Sequence, residues 1–110
     1  MIYDRLLTVY TRDPESGPRQ TRLARGDSWM YGEKEVYSKR FYMAMQAGET
    51  IDRMAELWRA DIRAGQFVVL WDEPETVYRV VQAQHGQDRD GLNITTLSLR
   101  REEAQYTLAD

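Results

Sequence analysis

The sequence predicts a mainly β protein built from antiparallel strands. Three short runs rich in β-branched and aromatic residues lie between Gln66 and Arg101, at 67–71, 76–81 and 92–99. Clusters of Asp, Glu, Pro and Gly separate the runs, and this alternation is typical of a meander of antiparallel strands. The C-terminal third of the chain is therefore predicted to be β.

The N-terminal part carries weaker strand signals. Ile2 to Tyr10 is predicted to be a first strand, because apolar side chains alternate along it. A second strand is expected from Trp29 to Val36, where Gly32 and the charges beside it are typical of an edge strand. Between these strands, Arg12 to Ser28 has Leu23 as its single large apolar residue. A stretch with so little to bury is predicted to be a long mobile loop, at about 12–28.

One short α-helix is predicted from about Lys39 to Ala47. Ser38 is a suitable N-cap, apolar side chains follow at helical spacing, and Gly48 lies where helices commonly end. The next segment, Thr50 to Ile62, fits either a helical stripe or one face of an alternating strand, and its periodicity favours the helix.

The last predicted strand changes the face that carries its apolar residues. Leu92 and Ile94 share one parity, whereas Leu97 and Leu99 share the other. Successive side chains of a strand alternate between faces, so this change predicts a β-bulge near Thr95–Thr96.

The composition is that of an ordinary globular chain of 110 residues, and its net charge of −3 is too mild to indicate general affinity for nucleic acid. No cysteine is present, which excludes disulfides, thiolate metal sites and thiol nucleophiles. Neither a secretory leader nor a membrane-spanning apolar run is found, so we expect a single domain that is made and used in the cytoplasm.

Candidate catalytic or metal-binding residues are few. His85 is the only histidine and adjoins a glycine, which favours an exposed turn residue over a catalytic base. Asp72, Glu73 and Glu75 could bind a cation together, but their spacing around Pro74 lacks the pattern of a calcium loop and favours a solvated hairpin tip. Phosphate-binding glycine motifs are absent. We therefore predict no catalytic residue, no metal site, no cofactor and no enzymatic activity.

Arginines in the predicted loop could act through contact. They are Arg12, Arg19, Arg22 and Arg25. Arginine forms bidentate pairs with carboxylates and phosphates, so the set suits a docking arm that faces an acidic surface. A solvated loop without function is the alternative.

A group of aromatic residues is the second feature that could act through contact. Its members are Trp29, Tyr31, Tyr37, Phe41 and Tyr42. Aromatic residues interleaved with arginines can stack on the bases of a single strand, but they more often anchor cores and interfaces. The predicted protein-interaction residues are Arg12, Arg19, Arg22, Arg25 and Trp29.

Several segments, taken in order, resemble one protein family. They are Tyr3-Asp4-Arg5 with the strand that follows, the run from Lys39 to Gly48, Trp58-Arg59-Ala60-Asp61, the hairpin strands 68–71 and 76–81, and Arg101-Glu102-Glu103. Together they resemble the phage head closure proteins of long-tailed phages and prophages, also called head-tail joining or head-tail adaptor proteins. The chain departs from the family at Arg40, where a glutamate is common, and at 72–75, which replaces a shorter Asp-Gly-type turn.

The resemblance implies a single domain, 1–110, that forms a small antiparallel β-barrel of about six strands with one short α-helix at about 39–47. The resemblance also implies that Thr50 to Ile62 is a strand, because a barrel needs a strand there to close its edges. It further implies a structural assembly protein of the head-tail connector, which closes the DNA-filled head and provides the docking platform for the tail.

The resemblance also implies partners and a location. The partners are neighbouring copies in a ring, portal or adaptor proteins of the head, and tail terminator or tail proteins, near the packaged DNA and with no membrane. The location is the host cytoplasm during assembly and then the head-tail interface of the virion. Before assembly we expect a monomer or a weak small oligomer. The alternatives are a small barrel that binds single-stranded nucleic acid, and a tail terminator or adaptor in the same connector.

Overall fold

The fold is seen in a computed structural model, which describes residues 3–13, 22–34, 50–103 and 106–109. These residues form seven strands: β1 Arg5–Arg12, β2 Arg22–Lys34, β3 Arg53–Trp58, β4 Phe67–Leu70, β5 Tyr78–Gln87, β6 Asn93–Arg101 and β7 Thr107–Ala109. The described ranges contain no helix that is long and apolar enough to cross a membrane. The helix predicted at 39–47 lies outside them.

Six of the strands close into a ring in which each strand pairs with two neighbours. The order around the ring is β1, β4, β5, β6, β3 and β2, and β2 pairs again with β1. All of these pairings are antiparallel, whereas β7 adds to the start of β2 in parallel. Closure removes the unpaired edges that an open sheet would leave. The predicted mainly β fold of about six antiparallel strands is therefore confirmed.

The core fills the interior of the ring. Its largest fully buried members come from all six strands and include Leu7, Tyr31, Leu57, Val68, Leu70, Tyr78, Val80, Leu97 and Leu99. A second, smaller cluster joins Tyr10, Leu23 and Phe67, and Tyr106 and Leu108 of the C-terminal segment pack against it. Strand β7 therefore covers part of the ring's outer wall.

The second strand begins at Arg22 and not at Trp29, so the predicted mobile loop is wrong for residues 22–28. Leu23 is fully buried, and it contacts the same small cluster as Tyr10 and Phe67. The start of β2 is also paired on both sides, by β1 and by β7. Strand pairing satisfies the backbone hydrogen-bonding groups of this polar stretch, so one buried leucine is enough to keep the stretch in place as a strand. The first strand runs from Arg5 to Arg12 rather than from Ile2 to Tyr10.

The ambiguous segment contains strand β3, as the resemblance implied and the periodicity did not. Strand β3 pairs with β2 on one side and β6 on the other. Met54, Ala55, Glu56 and Leu57 are all buried. A strand that is buried on both faces has no alternation, which is why its sequence was compatible with a helix.

The predicted bulge at Thr95–Thr96 is wrong. Strand β6 pairs with β3 without interruption across these residues, and every position from Ile94 to Leu99 is buried. The apolar pattern changes parity because both faces are covered. The register shifts instead within β5, between Val80 and Gln82, and in the β1–β2 pair opposite Val9.

Candidate docking surfaces

The predicted docking arginines lie together on the hairpin of β1 and β2. Arg12 ends β1 opposite Leu23, and Arg22 is the residue before Leu23 at the start of β2. Arg25 lies three positions further on, and all three arginines are exposed. Arg19 lies outside the described residues. The structure thus brings three of the four predicted arginines to one end of the β1–β2 hairpin, with Arg12 and Arg25 on one face of the strands and Arg22 on the other.

Paired strands, rather than a loop, carry these charges. Arg22 also lies beside a carboxylate, with its Nε 3.9 Å from Asp13 Oδ2, and 58% of its side chain is exposed. A contact between exposed groups at this distance contributes little to stability. Because the backbone is already fixed, a partner that binds these arginines needs to order side chains only, and the entropic cost of binding is lower.

The members of the predicted aromatic group have different surroundings. Tyr31 is fully buried in the main core, and Trp29 is half-buried and packs against that core. Tyr37, Phe41 and Tyr42 lie outside the described residues. Of the two members of the predicted aromatic group that the structure describes, only Trp29 therefore has a surface that a partner can reach.

A cluster of charged side chains, which we call the Arg53 cluster, lies beside this core. Its centre is Arg53, whose side chain is 13% exposed. The Arg53 guanidinium donates to Glu33 at 2.6 and 2.9 Å, to Asp72 at 3.0 and 3.1 Å and to Glu73 at 2.6 Å. It also lies 5.9 Å from the centre of the Tyr78 ring. Three carboxylates from two parts of the chain, Glu33 on β2 and the adjacent Asp72 and Glu73 after β4, thus share one guanidinium.

Further contacts extend the Arg53 cluster. The Tyr78 hydroxyl donates to Glu73 Oε1 at 2.6 Å, and Arg101 Nη2 lies 3.2 Å from Glu73 Oε2. Arg5 Nη1 lies 3.5 Å from Glu33 Oε2. The predicted hairpin tip is present, and Asp72 and Glu75 are exposed there, but the side chains of Asp72 and Glu73 are bound by Arg53 and not simply solvated. Within the described residues, no group of three or more histidines and carboxylates is placed to hold a metal ion.

The Arg53 cluster makes the stability of the fold dependent on pH. The Arg53 hydrogen bonds lower the pKa of Asp72, and the Tyr78 hydroxyl is the largest cause of the lowered pKa of Glu73. A carboxylate with a lowered folded-state pKa stabilises the fold fully above its unfolded pKa of about 4, and that contribution is lost as pH falls through the folded value.

We therefore expect the free energy of unfolding to fall as pH drops below about 4. Urea unfolding at a series of pH values measures this. The combined variant Asp72→Asn and Glu73→Gln is the control, and it should show a shallower decline in acid because neither amide titrates. Equal declines in the wild type and the variant would contradict the role of the cluster.

Removal of the hydroxyl group should change the free energy of unfolding in opposite directions at two buried tyrosines. The Tyr31 hydroxyl is buried and has no hydrogen-bond partner among the residues that the structure describes, and burial raises its pKa to about 12. The Tyr78 hydroxyl instead donates to Glu73. We expect Tyr31→Phe to raise the free energy of unfolding by about 1 kcal/mol and Tyr78→Phe to lower it by about 2 kcal/mol. Urea unfolding checks this, and shifts of the same sign would contradict it.

His85 lies in β5 and not in the turn that was predicted. Its Nδ1 is 2.8 Å from the Thr95 hydroxyl of β6, and Thr95 Oγ1 in turn accepts from the backbone N–H of Ala60 at 3.0 Å. The turn lies beyond it, where Gly91 has a φ of +79° that favours glycine. His85 thus joins neighbouring strands through a threonine.

Large apolar side chains are exposed on several neighbouring strands of the ring. Within the described residues these are Leu6 at 44%, Met30 at 46%, Trp58 at 52%, Trp71 at 59% and Leu92 at 47% exposure. Leu6 stands opposite Met30 in the β1–β2 pair. The Trp71 N–H donates to the Leu6 carbonyl at 3.0 Å, which sets Trp71 on the other side of Leu6.

Trp58 continues this line on β3. Gly32 stands opposite Glu56 in the β2–β3 pair, and extending that register by two residues sets Met30 opposite Trp58. We call Trp71, Leu6, Met30 and Trp58 the apolar row. None of its members was among the predicted interaction residues, because each has the composition of an ordinary strand residue and only the register brings them together.

A cleft adjoins the Trp58 end of the apolar row. It encloses about 740 Å³, and Asp88, Asp90 and Leu92 are among the residues that line it. The Tyr3 hydroxyl donates to Glu56 at 2.9 Å in its wall, and the Tyr3 ring meets Trp58 edge to face with a centroid distance of 5.1 Å. Burial, followed by the bond to Glu56, raises the pKa of Tyr3 to about 12. The Trp58 ring is therefore held in place from one side.

No protein-family model matches the chain, and no curated protein matches it either.

Proposed function

We propose that this protein is a structural assembly protein of the head-tail connector of a long-tailed phage or prophage. In this role it closes the DNA-filled head and provides the docking platform for the tail. The observation that carries the proposal is strand β3. The periodicity of Thr50 to Ile62 favoured a helix, whereas the resemblance to head closure proteins required a strand that closes the ring. The segment contains a strand paired on both sides, Arg53–Trp58.

The end of the β1–β2 hairpin supports a docking role. It carries the exposed Arg12 and Arg25 on one face and the exposed Arg22 on the other. Guanidinium groups pair well with carboxylates, so the end of this hairpin suits an acidic surface on a portal, adaptor or tail protein. The other proposed partners are neighbouring copies of the chain in a ring, and the proposed site of action is the head-tail interface of the virion.

Binding of single-stranded nucleic acid has less support. Its main support was the predicted aromatic group, of which Tyr31 is buried and offers no face for stacking, and the net charge of −3 is unfavourable for binding a polyanion, although Trp58 and Trp71 elsewhere on the ring are exposed. A labelled oligonucleotide that binds in a salt-dependent way would favour this alternative over head-tail joining.

Deletion of the gene from the phage that encodes it tests the proposal. We expect lysates of the deletion mutant to contain DNA-filled heads and complete tails that remain separate in electron micrographs. Heads without their closure should also lose DNA to added nuclease. Joined, infectious particles from the deletion mutant would overturn the proposal.

The same experiment separates the roles within the connector. A tagged copy supplied in trans should remain on isolated heads if the protein closes the head. Recovery of the tagged copy on isolated tails would instead assign it the role of a tail terminator.

A further inference from the structure

We propose that two copies of this chain form a two-fold symmetric dimer through the apolar row. This inference goes beyond the proposed head-tail role and does not rest on it. The row crosses four neighbouring positions of the outer wall, with Trp71 directly after β4, Leu6 on β1, Met30 on β2 and Trp58 on β3. All four side chains are between 44% and 59% exposed.

The row has the same chemistry from either end. A tryptophan stands at each end and an aliphatic side chain at each inner position. Neighbouring strands are about 4.8 Å apart, so the four positions follow one another at roughly this interval around the outer wall. A two-fold axis between Leu6 and Met30 then sets Leu6 of one copy against Met30 of the other, and Trp71 against Trp58. Such a contact uses one surface twice and needs no second binding surface.

The exposed area agrees with what a dimer needs. A tryptophan side chain offers roughly 150–250 Å², so the half-exposed row presents on the order of 400 Å² of apolar surface. A standard interface buries about 800 Å² per partner, of which somewhat more than half is apolar. The row with its polar rim therefore has the size and composition of an interface. Patches of this size on a monomer commonly mark a binding site.

Polar groups beside the row already have partners within the chain. The Thr8 and Ser28 hydroxyls are 3.0 Å apart. Glu56 accepts from Tyr3, and its carboxylate also lies 3.3 Å from Lys34 Nζ. A second copy can pack here while these hydrogen bonds remain in place, which favours an apolar partner surface, such as the row itself, over a charged one.

Sedimentation equilibrium of the purified protein tests the dimer. We expect the wild type to change from monomer to dimer between micromolar and millimolar concentration. Leu6→Glu and Met30→Lys should each weaken self-association by on the order of 100-fold, because each symmetric contact would bury two unpaired charges. An equimolar mixture of the two variants should regain association. In that mixture the introduced carboxylate of one copy faces the introduced ammonium of the other, and the second inner contact remains apolar.

Leu92→Glu is the matched control. Leu92 is 47% exposed, like the inner members of the row, but it lies outside the row. We expect this variant to associate like the wild type, and thermal unfolding should show that all three variants are folded. The proposal is overturned if the wild type remains a monomer at millimolar concentration, in which case the apolar row would be a binding surface for another protein. It is also overturned if the mixture associates no better than its components, or if Leu92→Glu is as disruptive as Leu6→Glu. None of these results bears on head-tail joining.

Discussion

Replacement of Arg53 by methionine is expected to lower the free energy of unfolding by about 3 kcal/mol, the lower end of the range for breaking a buried ion pair. Arg53 is the common donor to Glu33, Asp72 and Glu73, and its side chain is 13% exposed. Without it, three carboxylates would face one another without their shared cation. The carboxylates keep about a third of their surface in water, which is why we expect the lower value.

Thermal unfolding measures this effect. For a domain of about 100 residues, 1 kcal/mol corresponds to roughly 4–8 °C in Tm, so Arg53→Met should lower Tm by more than 10 °C. Arg63→Met is the matched control, since the Arg63 side chain is 78% exposed and lies 3.6 Å from an exposed Asp61. The control should change stability by less than about 0.5 kcal/mol. Similar shifts for the two variants would show that the Arg53 cluster does not stabilise the fold.

Reversal of Arg12, Arg22 and Arg25 to glutamate is expected to abolish the joining of heads to tails while the fold stays intact. All three side chains are exposed, so their loss should change thermal unfolding little. At an interface, in contrast, breaking one desolvated charge pair costs about 2–5 kcal/mol. Three reversals should therefore lower the titre in a complementation assay by several orders of magnitude.

The control for this experiment reverses three other exposed arginines, Arg59, Arg63 and Arg89. It introduces the same change in net charge away from the β1–β2 hairpin, and we expect a normal titre. A normal titre from the Arg12, Arg22 and Arg25 variant would instead make that hairpin a solvated surface without a docking role.

The strands of the C-terminal third could be predicted because their patterns are local. The runs at 67–71, 76–81 and 92–99 match β4, β5 and β6 in type and order. The start of β2 could not be predicted in this way. Leu23 stands alone in a polar stretch, and the strand exists because β1 and β7 pair with it. Pairing between distant segments leaves no periodic signal in the segment itself.

The two features that the sequence did not reveal depend on register. Arg53 lies 19 residues before Asp72 and 20 before Glu73, and taken singly each is a typical surface residue. Ring closure brings them together. The apolar row likewise combines Leu6 and Trp58, which lie far apart in sequence and face outward for reasons that only the strand order supplies. The docking arginines were predicted from residue type alone, because a guanidinium suits a carboxylate partner, and their docking role stays a prediction.

In vitro joining tests the central claim most directly. DNA-filled heads and complete tails from phage that lacks the gene are mixed with the purified protein, and infectious particles are counted. The proposed role predicts that infectivity appears only when the wild-type protein is added, and that the variant with Arg12, Arg22 and Arg25 reversed does not restore it. Heads and tails that join equally well without the protein, or that never join in its presence, would contradict the proposed role.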